Sequence, residues 1–109
     1  MTSQDNNIQK DIRILELIIL KITKYFDQKL HVSDLIYDLE SYLNQLVTVD
    51  KQWKKNFRTL WIDVEIAYSL ALDQGLEKLT DEGTAIAENS LHILKKMSQD
   101  RMNNLVKDL

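Results

Sequence analysis

Residues 51–77 read KQWKKNFRTLWIDVEIAYSLALDQGLE, a stretch whose spacing is helical and whose charge changes sign halfway along. Trp53, Phe57, Leu60, Trp61, Val64, Tyr68, Ala71 and Leu72 recur three or four residues apart and share one arc of a helix. Ile62, Ile66 and Leu70 form a second arc. Two apolar arcs predict two sets of neighbours, so this helix is expected to be the most enclosed of its fold. Asp50 is a candidate N-cap and Gly75 a candidate C-cap. Lys51, Lys54, Lys55 and Arg58 come first with no acid among them, followed by Asp63, Glu65, Asp73 and Glu77 with no base. That order opposes the helix macrodipole, which favours the reverse by roughly 0.3–1 kcal/mol per charge. Something beyond the helix itself must account for it.

Working outward, three more helices follow from the same periodicity. Over residues 7–27, Ile8, Ile12, Leu15, Ile18, Ile19, Ile22 and Phe26 form one stripe. Residues 33–47 place Leu35, Ile36, Leu39, Tyr42, Leu43 and Leu46 on one face, with Ser33 as the expected N-cap. Residues 81–105 follow Thr80, an expected N-cap, with Asp81 and Glu82 in the favourable first turn. With the central helix at 51–75, short connections predict an all-α, single-domain antiparallel bundle of four helices spanning residues 1–109.

Composition narrows the class. The 109 residues include no proline, two glycines and no cysteine, with 44% hydrophobic and 28% charged residues, as in an ordinary globular helical domain. The missing cysteines fit a reducing cytoplasm. The most apolar run, Ile14–Ile22, is broken by Glu16 and Lys21 and is too short for a membrane span, so no membrane association is expected.

The net charge of −3 hides strong segregation: +4 over residues 51–58 against −6 over residues 59–94. In an up-down-up-down bundle, hairpins 28–32 and 76–80 share one end. That brings Asp27, Asp34, Asp38, Asp73, Glu77, Asp81 and Glu82 together against Lys24, Lys29 and Lys78. An acidic field of this kind steers basic partners, although the same charges also serve solubility.

Chemistry is sparse. The chain has no cysteine nucleophile, no glycine-rich phosphate loop and no His-Glu-x-x-His pattern, so no catalytic residue is expected. His31 and His92 fall in different elements and read as surface histidines. Acids at i and i+4, such as Asp34 with Asp38 and Asp73 with Glu77, lack the Glu-x-x-Glu or Glu-x-x-His spacing of carboxylate metal sites in bundles, so no metal or cofactor is expected. Asp63 lies at the edge of an apolar arc and is either a hydrogen-bond anchor or a partner contact. A sequence pI near 5.3 and a single base between residues 59 and 94 leave no stripe for phosphates, so nucleic acid is not an expected partner.

The string WKKNFRTLWIDVEIAYSLALDQG over residues 53–75, with Trp53, Phe57, Trp61, Asp63, Glu65, Tyr68, Ala71, Asp73 and Gly75, resembles a group of small all-helical bacterial immunity proteins. They belong to polymorphic toxin systems, including contact-dependent growth inhibition. The likeness is clearest over residues 33–80. It implies a cytoplasmic, non-enzymatic toxin inhibitor that binds one cognate toxin domain, often a nuclease, by protein–protein contact. A nuclease presents basic residues to its substrate, so an inhibitor offering carboxylates competes for the same groups. On this reading the partner contacts are Asp34, Asp38, Asp63, Glu65, Asp73, Glu77, Asp81 and Glu82. The free protein would be a monomer or weak dimer. Two other classes compete: a helical homodimeric interaction or regulatory module with Ile62, Ile66 and Leu70 as its seam, and a small enzyme with a carboxylate metal site.

Overall fold

Each helix is set by residues at its ends. In the computed structural model, which describes residues 3–109, the helices are α1 (Ser3–Phe26), α2 (Val32–Gln45), α3 (Lys51–Asp73) and α4 (Asp81–Lys107). Asp50 caps α3 by accepting from the Trp53 N–H at 2.6 Å, and Thr80 caps α4 by accepting from the Gly83 N–H at 2.9 Å. At the far end of α3, Gly75 takes a φ of +75° while the Leu76 N–H bonds the Ala71 carbonyl and the Gly75 N–H bonds that of Leu72. This is the Schellman arrangement, and it uses carbonyls the helix would otherwise leave open.

The ends of α1 and α2 depart from the sequence expectation. α1 closes with the same motif, but Gln28 holds the left-handed position at φ +62°, so no glycine marks the stop. The N-cap of α2 is His31, not Ser33: its Nδ1 accepts from the Ser33 N–H at 3.1 Å. Imidazole nitrogen replaces the usual side-chain oxygen. α2 stops at Gln45 and α3 at Asp73, each two residues short of expectation, whereas α4 runs two residues further.

The helices form a ring in chain order. α4 packs along α1 on one side and α3 on the other, α1 packs on α2, and α2 touches α3 more lightly. The result is an all-α antiparallel bundle 52 Å long and 26 by 19 Å across. Its core joins Leu15, Ile18 and Ile22 of α1, Leu35, Leu39 and Leu43 of α2, Phe57 and Val64 of α3, and Leu91 and Leu94 of α4. Small residues let α3 and α4 approach closely. A Cβ built on Gly83 would stand 3.5 Å from the Ala67 Cβ and 3.1 Å from the Thr80 Oγ1.

One expectation for α3 is overturned. The Trp53, Phe57, Trp61 arc faces the core, with Phe57 fully buried. The second arc is not covered by a further helix among the described residues: Ile62, Ile66 and Leu70 are 46%, 51% and 55% exposed. Among the described residues, α3 packs along α4 and, lightly, α2. It is therefore not the most enclosed helix.

The α2–α3 connection explains part of the charge order. The fully buried Asp11 of α1 accepts from the Val47 N–H at 2.9 Å, and from the Thr48 N–H and hydroxyl at 2.6 Å each. From the other side, Lys54 Nζ donates to the Leu46 carbonyl at 2.7 Å. Arg58 donates to Asn44 Oδ1 at 2.7 Å, and Asn44 in turn donates to Glu40. Bases at the start of α3 thus sit against the carbonyl-rich end of α2, where the dipole of that helix is negative. They oppose their own helix and complement its predecessor. Lys54 and Arg58 are accounted for in this way, and Glu40 meets the basic segment through Asn44, not by a direct ion pair.

Candidate protein-binding surface

The two hairpins at the acidic end are tied together by His31. Its Nε2 donates to the Glu77 carbonyl at 3.0 Å while Nδ1 serves the α2 cap, which assigns the Nε2–H tautomer. The ring also lies edge-on to Tyr68, with centroids 6.0 Å apart. His31 is therefore a structural tie between the 27–31 and 74–80 connections as well as a surface residue. His92, on α4, stacks on Phe26 of α1 at 4.4 Å.

The tie fixes Asp34, Asp73, Glu77, Asp81 and Glu82 at one end of the bundle. All five side chains are exposed, and among the described residues none makes an ion pair or a side-chain hydrogen bond. The other three candidates are placed differently. Asp38 is half-buried and pairs with Lys21 of α1 at 3.2 Å, so its charge is already used within the fold. Asp63 is exposed and accepts from the Ser90 hydroxyl at 3.2 Å, which links α3 to α4. Glu65 is half-buried on α3. Asp63 lies ten residues before Asp73, about 15 Å up the helix axis, so the eight acids do not form one patch. No three acids or histidines converge as a metal would require among the described residues.

Beside the acidic end, α3 and α4 enclose an open groove of about 290 Å³ lined by Ile66, Ala67, Leu70, Gly83 and Ile86, with Asp63 and Glu82 on its rim. The exposed Ile93 lies two turns beyond Ile86 on the same face of α4. Apolar centres with polar rims are the usual layout of protein interfaces. Periodicity places Ile66 and Leu70 on one arc of α3 and Ile86 and Ile93 on the apolar track of α4, but not the groove that the two helices form beside Gly83, which depends on how they pack.

A wider cleft of about 620 Å³ lies between the hairpins, lined in part by Tyr25, His31, Lys78, Thr84 and Glu88. Burial, with Glu88 nearby, raises the pKa of the Tyr25 hydroxyl, so it stays protonated at neutral pH. Both nitrogens of the His31 ring are engaged in hydrogen bonds within the fold. Among the described residues, no helix is long and apolar enough to cross a membrane. Compared with protein-family models, curated proteins and solved structures, the chain finds no match.

Proposed function

We propose that this chain is a non-catalytic immunity protein that acts in the cytoplasm by binding a cognate toxin domain, a nuclease with a basic surface. The observation that carries the reading is the set of five exposed, unpaired carboxylates, Asp34, Asp73, Glu77, Asp81 and Glu82, held at one end by the His31 tie beside an apolar groove. Carboxylates left unpaired by the fold remain free for a basic partner, and the groove supplies the apolar area from which affinity comes. The resemblance of residues 53–75 to immunity proteins agrees with this arrangement.

The test is charge reversal. For a toxin domain encoded beside this gene, Asp81→Lys combined with Glu82→Lys is expected to weaken binding more than tenfold and to flatten its dependence on salt. Asp100→Lys, at the other end of α4, makes a control of the same kind. Equal effects at both positions would count against the acidic end.

A further inference from the structure

The unpartnered stripe of α3 is complementary to itself when reversed. Lys55, Thr59, Ile62, Ile66, Ser69 and Asp73 follow one another at alternating spacings of four and three residues, the a and d positions of a coiled-coil seam. Lys55 and Asp73 are eighteen residues apart, five turns of helix, so they stand on one face about 27 Å from each other. Every residue of the seam is exposed. Lys54 and Arg58, the neighbouring bases, are engaged by α2, whereas the Lys55 side chain is exposed.

We infer that this face binds a second copy of the chain, α3 against α3 in antiparallel register about a two-fold axis level with Val64. In that register Lys55 meets Asp73 of the second copy, Thr59 meets Ser69, and Ile62 meets Ile66, each pairing occurring twice. A parallel arrangement sets Lys55 against Lys55 and Asp73 against Asp73, so charge selects the antiparallel one. Isologous contact requires just such self-complementarity. Ile86 and Ile93 widen the apolar strip onto α4. The charge order of α3 then has two sources: Lys54 and Arg58 answer the end of α2, and Lys55 and Asp73 answer each other across the axis. This inference does not rest on the toxin reading; Ile66, Ile86 and Asp73 are common to the two surfaces, so a toxin and a second copy compete for them, whereas Asp34, Glu77, Asp81 and Glu82 lie outside the seam.

Sedimentation equilibrium of the full chain at about 100 µM is expected to give twice the 12.8 kDa chain mass, falling on dilution as mass action requires. Lys55→Glu and Asp73→Lys should each raise the dimer dissociation constant tenfold or more, and the double variant Lys55→Glu/Asp73→Lys should return it to within about threefold of the starting value. Ile66→Glu should yield a monomer with an unchanged helical circular dichroism spectrum. A monomer at about 100 µM overturns the inference, as does a dimer indifferent to Ile66→Glu, or a double variant weaker than both single ones.

Discussion

Asp11→Ala is expected to lower the unfolding free energy by about 3 kcal/mol, read as a fall in the urea midpoint with an unchanged m-value. The carboxylate is fully buried and is the acceptor for the backbone N–H groups of Val47 and Thr48 and for the Thr48 hydroxyl. Hydrogen bonds to a charged group contribute about 1.5–3 kcal/mol each, and removing their acceptor leaves the donors of a tight connection without a partner. Thr48→Val removes only the hydroxyl bond, and its cost should be about 1 kcal/mol. An Asp11→Ala variant as stable as the parent would mean that the 46–50 connection is held by Lys54 and apolar packing alone.

Phe57→Ala should cost about 3–5 kcal/mol, a large part of the roughly 5–15 kcal/mol available to a domain of this size. Phe57 has no exposed surface, packs in the central cluster and stands 5.4 Å from the Trp53 ring, so truncation leaves a void that the bundle cannot fill without moving helices. Five residues along the same helix, Ile62→Ala should change monomer stability by no more than about 0.5 kcal/mol, measured by denaturation at concentrations too low for association. The contrast separates the two arcs of α3. Similar losses at both positions would mean that the outer arc is also buried within the single chain.

The bundle was legible because apolar residues at helical spacing bury one face wherever the chain continues, and Asp50, Thr80 and Gly75 mark ends with local chemistry. Long-range partners were not legible. Asp11 reads as one of several charges before an apolar run, and the backbone donors that justify its burial lie 36 residues away. His31 resembles a loop histidine until the second hairpin brings the Glu77 carbonyl to its ring. The second arc of α3 illustrates the opposite error. Periodicity shows that Ile62, Ile66 and Leu70 share a face, but the number of neighbouring helices is a property of topology, and a four-membered ring supplies no third neighbour. For the candidate site, sign and approximate position of the acids were readable, whereas the engagement of Asp38 by Lys21 and of Asp63 by Ser90 depended on side chains of other helices.

Binding to a basic toxin domain is tested most directly by isothermal titration of the purified chain into the purified C-terminal domain of a secreted protein encoded immediately upstream. Saturable binding at one chain per domain, with a dissociation constant on the order of nanomolar and loss of the domain's nuclease activity, is the predicted result. A folded, active domain that releases no heat and keeps its activity in the presence of excess chain would contradict it.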